Sequence, residues 1–290
     1  MKSVKPIELF LALGLAATLG ACGTPAPEGG EGSEGGEATT TEEVKDEDHS
    51  DHDHDHDHGG EGGEGGEGGE GGEGHSHGGE GSNSGNPDID YLTALGLMKG
   101  HLMVAEELVA LGEFEQSEPH IGHPVEEIYG DIEAELPDRG VEDFKDTLNA
   151  AHDIVKTAPE SDELNTSLAA SIAVVDDAIA MMGDEYLGDK EFIMEVVLGM
   201  LAVAGEEYEA AIADGKFVEI VEYQDSRGFV MYGQTLFENI AGDMDAEKSA
   251  AISAAFEDLL TAWPGAIPPE APVKTPQEVY EAIVAIEANS

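Results

Sequence analysis

Leu97-Met98-Lys99-Gly100-His101-Leu102-Met103-Val104-Ala105-Glu106-Glu107-Leu108 sets Leu97, His101, Val104, Ala105 and Leu108 three or four residues apart. That is the period of one face of an α-helix, and it puts an imidazole among apolar neighbours. The same spacing continues outward to the C-terminus, while segments that alternate like strands are scarce. The fold class is therefore all-α, an up-and-down bundle of about seven or eight helices after a long disordered linker. Helices are expected over 89–113, 124–136, 141–157, 161–183, 189–214, 217–241, 245–263 and 275–288. Pro124 suits a first helical turn, Pro137 and Pro159 lie just past ends, and Gly183, Gly215 and Gly242 stand where C-terminal caps belong. Pro264, Pro268, Pro269 and Pro272 predict a loop strapped across the bundle before the last helix.

The bundle, 88–290, follows a segment of different character. Residues 22–87 hold almost no large apolar side chain and cannot bury a core, so they read as linker, with Glu61, Glu64, Glu67, Glu70 and Glu73 recurring every third residue among glycines. Before it, Lys2 and Lys5 precede an apolar run from Leu9 to Ala21, the layout of a secretory signal over 1–21, shorter than the about 20 residues of a membrane span. Leu19-Gly20-Ala21-Cys22 contains the only cysteine of the chain and resembles a bacterial lipobox. The resemblance implies cleavage before Cys22, acylation of that residue by palmitate-type chains, and a membrane anchor outside the cytoplasm. Gly23 in place of an aspartate points, by the sorting rules of enteric lipoproteins, to the outer membrane facing the periplasm. An ordinary secretory signal with an incidental cysteine is the other reading.

Acidic residues number 64 against 12 basic ones, a formal net charge of -52, which excludes nucleic acid as a partner and draws cations. Seven of the eleven histidines, His49, His52, His54, His56, His58, His75 and His77, lie in the linker, most of them alternating with aspartates. Imidazole and carboxylate together suit zinc and other transition metals. A disordered tract pays ordering entropy on binding, so it is expected to be a weak, exchangeable chelator, or else a solvated spacer.

Within the bundle, polar residues interrupt apolar faces. His101 points inward, and His152 lies at the edge of the face made by Phe144, Leu148, Ala151 and Val155. Glu195 is the only charge between Phe192 and Ala204, and Glu222 is centred in the stripe of Val218, Phe229 and Leu236. Buried carboxylates are paired, protonated or bound to metal. In Pro119-His120-Ile121-Gly122-His123-Pro124-Val125-Glu126-Glu127, residues His123, Glu126 and Glu127 stand at i, i+3 and i+4, so imidazole and carboxylate share one side of a turn. The apolar face of that helix is Val125, Ile128, Tyr129, Ile132 and Leu136. Glu126 also suits a first-turn acid favoured by the helix dipole, with no ligand role.

Gly122-His123-Pro124-Val125-Glu126 resembles the Gly-x-His-x-x-Glu motif of imelysin-like (EfeO-like) proteins, but lacks the residue between glycine and histidine. The resemblance implies that His123 and Glu126 bind metal, with His120 as an extra ligand. Asp214-Gly215-Lys216 followed by Glu222-Tyr223, downstream of Glu206-Glu207-Tyr208, is similar to a segment in the periplasmic extensions of Ftr1-type iron permeases, over about residues 200–230. That resemblance implies association with iron transport and singles out Glu222. Met98 and Met103 flank His101; thioethers select copper(I) but also fill cores.

The expected function is a membrane-anchored, extracytoplasmic lipoprotein that captures a transition metal ion, iron before zinc and copper last, for a metal-uptake permease. The expected ligands are His101, His120, His123, Glu126, Glu127, His152, Glu195 and Glu222. Two alternatives stand beside it: a metal-dependent enzyme, ferroxidase-like or imelysin-type, and a metal-free module for a ligand or partner. Neither the paired Glu-x-x-His of di-iron bundles nor His-Glu-x-x-His occurs, which weighs against catalysis.

Overall fold

The computed structural model describes residues 83–290, so the signal segment, Cys22 and the seven linker histidines lie outside the described residues. The described part is helical, as expected, and contains one two-stranded hairpin. Helix α1 spans Pro87–Leu111. Asn86 caps it by accepting from the Asp88 N–H, Pro87 sits in its first turn, and Gly112 ends it in the left-handed region at φ 79°. Almost every side of α1 is buried, which makes it the central element.

Then follow α2 (Phe114–His123), a π-helical turn (Pro124–Ile128) and α3 (Tyr129–Ile132). Here the structure departs from expectation, because the helix begins ten residues before Pro124, runs through Pro119, and carries His120 and His123 on its own last turn. Pro124 has no N–H to donate. Past it the ladder shifts by one residue, with Tyr129 N–H reaching the Pro124 carbonyl. The expected apolar face is borne out, since Val125, Ile128, Tyr129, Ile132 and Leu136 are all buried.

The remaining helices are α4 (Lys145–Thr157), α5 (Asp162–Ala180), α6 (Asp184–Leu187), α7 (Lys190–Ala210), α8 (Ile220–Ile240), α9 (Ala246–Leu260) and α10 (Pro276–Glu287). Between α7 and α8 the expected helical stretch to 214 gives way to a hairpin, β1 (Ile212–Ala213) paired antiparallel with β2 (Lys216–Phe217). Asp214 at φ 52° and Gly215 at φ 72° supply the two positive angles that a tight hairpin turn needs. Gly183 also adopts a positive φ, but Gly242 does not cap a helix and lies in a short 3-10 turn (Ala241–Asp243).

Two groups of helices meet at α1. On one side α2 and α5 pack onto α1, with α4 against both of them; on the other, α7, α8, α9 and α10 pack among themselves, with α7 and α8 against α1. The approach of α1 to α8 depends on glycine. A Cβ on Gly228 would overlap the Gly100 carbonyl oxygen, and one on Gly100 would lie 2.8 Å from Phe229 Cδ1 and 2.9 Å from the Gly228 carbonyl carbon. The backbones touch at that point, one residue from His101 and three from Asp225.

The proline-rich stretch after α9 is strapped across the bundle as expected. Tyr223 Oη donates to Gly265 O, Gln224 Nε2 to Ala266 O, and Arg227 to Trp263 O, while Trp263 Nε1 donates to Ser226 Oγ. Four consecutive-turn contacts from one face of α8 thus hold the strap in place. Among the described residues, no helix is long and apolar enough to cross a membrane.

Candidate metal centre

The α1–α8 contact brings His101 of α1 beside Asp225 of α8, and the last turn of α2 brings His120 and His123 to the same carboxylate. Asp225 Oδ1 accepts from His101 Nδ1 at 2.7 Å and from His120 Nδ1 at 2.6 Å. Its other oxygen lies 3.5 Å from His123 Nδ1, and neither of those two buried atoms makes a hydrogen bond. His101 and His120 are fully buried and Asp225 is 1 % exposed. Among the described residues, His101, His120 and Asp225 form the group whose ligand atoms converge closely enough to hold a metal ion.

Burial opposes ionisation of Asp225, but the charges of His101 and His120 and their hydrogen bonds outweigh it and hold the carboxyl well below its usual range. For His123, burial likewise opposes protonation, and the contact with Asp225 more than compensates, raising its pKa. A carboxylate only accepts, so both Nδ1 atoms donate. Gln224 Nε2 donates to Gln116 Oε1 and Ala266 O, which turns its Oε1 toward His120 Nε2 at 2.8 Å. Gln224 thereby holds the His120 ring from its Nε2 side, with Nδ1 facing the cluster. Two or three imidazole nitrogens and a carboxylate thus converge, a donor set suited to Fe(II) or Zn(II).

Glu126 and His152, expected at the same site, belong to a second cluster on the opposite side of α2. His152 Nε2 bonds Glu118 Oε1 at 2.7 Å, Glu126 Oε1 lies 3.6 Å from His152 Nδ1, and Lys156 Nζ sits 3.3 Å from Glu118 and 4.0 Å from Glu126. Burial raises the Glu118 carboxyl pKa, and the hydrogen bonds of His152 and Lys156 hold it below the usual value nonetheless. Lys156 already supplies a cation to both carboxylates, so the network is satisfied by ion pairs within the chain. Gly122 makes room for it, since a Cβ there would lie 2.7 Å from His152 Nε2. We expect Gly122→Ala to push His152 off Glu118 and to cost about 1–3 kcal/mol in a denaturant titration.

Two further placements are corrected. Glu195 is exposed, on the same outer line of α7 as Glu191 and Glu206, because α7 keeps one side toward solvent. Glu222 is only half-buried, one turn before Asp225, which takes the interior position. Glu127 lies at the surface above His123, its Oε1 3.9 Å from His123 Nε2. Met98 and Met200 go to packing: both are wholly buried, and Met200 lies against Gly96. Asp225 went unread in the sequence. It stands four residues before Phe229 and eleven before Leu236, the spacing that would have marked it as inward.

Residues 183–290, covering α6 to α10, match the model of the iron permease-associated 4-helix bundle domain. The match includes Asp225 and extends the expected likeness to iron-permease extensions well beyond residues 200–230. His101, His120 and His123 come from helices outside it, so the cluster lies where the matched bundle meets the rest of the fold. The chain has no match among curated proteins and none among solved structures.

Proposed function

We propose that this chain is an extracytoplasmic iron-uptake component that binds one transition metal ion, iron before zinc, through His101, His120 and Asp225, with His123 as the fourth donor. The observation that carries this reading is the buried Asp225 carboxylate, to which three histidines from two other helices converge and whose second oxygen makes no hydrogen bond. The iron permease-associated bundle over 183–290 supports an association with iron transport. Delivery to a permease, the lipid anchor at Cys22 and an outer-membrane location extend the same reading, with the linker histidines as a loose collector near the membrane.

Metal and protons compete for the same atoms. Imidazole binds metal only through an unprotonated nitrogen, so affinity is expected to rise with pH. The check is metal retention at about pH 5 and about pH 7.5, together with proton release on binding, in a chain lacking residues 49–77. Binding that ignores pH in that range would exclude the histidines as ligands. Oxygen-dependent turnover of ferrous iron would instead mark the cluster as an enzyme's.

A further inference from the structure

We infer that Glu127 and His123 form the loading route by which a divalent cation reaches the buried His101–His120–Asp225 cluster, an inference that rests on the metal reading above. Exposure falls stepwise along this line: Glu127 42 %, His123 17 %, Asp225 1 %. His123 has a nitrogen at each end of the step, with Nε2 3.9 Å from the Glu127 carboxylate and Nδ1 3.5 Å from Asp225 Oδ2. The buried Nδ1 and Oδ2 make no hydrogen bond, so ligand capacity lies in the path and is not spent on internal bonding.

The other approaches are closed by packing. The α1 and α8 backbones touch at Gly100 and Gly228. The Phe229 ring stands edge-on to His101 at 4.9 Å, and Gln224, tied to the strap at Ala266, covers His120 Nε2. The cluster nears solvent on the π-turn face, where Glu127 replaces part of the ion's water shell before His123 takes it inward. The neighbouring Glu126 points to the His152 network and has no place on the route.

Trp263 is the only tryptophan in the chain and bonds Ser226, the residue after Asp225. Quenching of its fluorescence therefore reports Co(II) arriving at the cluster in the full chain. In stopped-flow mixing with Co(II), Glu127→Gln is expected to slow both association and dissociation about tenfold while leaving the equilibrium affinity nearly unchanged, as a change in path requires. Glu126→Gln, the same loss of charge one residue away, is expected to alter neither rate. Unchanged rates in Glu127→Gln overturn the route, and so does equal slowing by Glu126→Gln, which would mean general attraction by surface charge. If Co(II) does not quench the unaltered protein, the metal centre itself fails, and the route with it.

Discussion

Asp225→Asn is expected to abolish tight metal binding while leaving the helical content intact. Two histidines hydrogen-bond one oxygen of this carboxylate and a third faces the other, so its charge is the common term in every contact of the cluster. Asparagine keeps the shape and an acceptor oxygen but supplies neither the negative charge nor a second acceptor. Breaking a buried charge pair costs about 3–5 kcal/mol, which amounts to a loss of about two to three and a half orders of magnitude in affinity. Stability responds as well. The lowered Asp225 pKa means that its carboxylate stabilises the fold above the unfolded-state pKa of about 3.9, and this contribution is lost as pH falls through the native value. Acid unfolding of the variant should therefore depend less steeply on pH than that of the parent, as denaturant midpoints across the acid range would reveal.

Gly228→Ala is expected to be the most damaging glycine-to-alanine change among the described residues. Glycine in a helix interior is normally about 1 kcal/mol worse than alanine, so most such replacements stabilise. At Gly228 the new Cβ would overlap the Gly100 carbonyl oxygen and meet backbone, which cannot rotate away. The helices must separate, at a cost of about 3 kcal/mol, and the separation moves His101 away from Asp225. Gly233, five residues further along α8, is the control: a Cβ there would find only Leu201 at 3.8 Å and Val197 at 3.9 Å, ordinary contacts. Thermal unfolding should show Gly228→Ala strongly destabilised and weakened in metal binding, and Gly233→Ala slightly stabilised with binding intact. If both behave alike, the backbone contact is not what positions the site.

The helices were legible because their apolar residues repeat at helical spacing and residues such as Pro159 and Gly183 punctuate their ends. His101 was legible for the same reason, as an imidazole in the middle of such a face. The π turn was not, because Pro124 reads as the start of a helix, whereas one helix runs into it from Phe114 through Pro119. That misreading left His120 and His123 in a loop. Glu222 was favoured over Asp225 because the stripe was anchored on Val218, which lies before α8 begins and is 51 % exposed. Starting the helix at Ile220 instead puts Asp225 in line with Phe229 and Leu236. Glu195 misled because an isolated charge in an apolar run looks enclosed, yet α7 keeps a solvent-facing line. No sequence pattern indicated that α2 and α8 would meet at one carboxylate, since the pairing joins residues 105 positions apart.

The most direct test is metal analysis by mass spectrometry on the chain lacking residues 49–77, after exposure to iron, zinc and copper in competition, alongside the same chain carrying Asp225→Asn. The account predicts near-stoichiometric retention of a single metal, iron first, in the parent and none in the variant. Equal retention by both, or none by either, would contradict it.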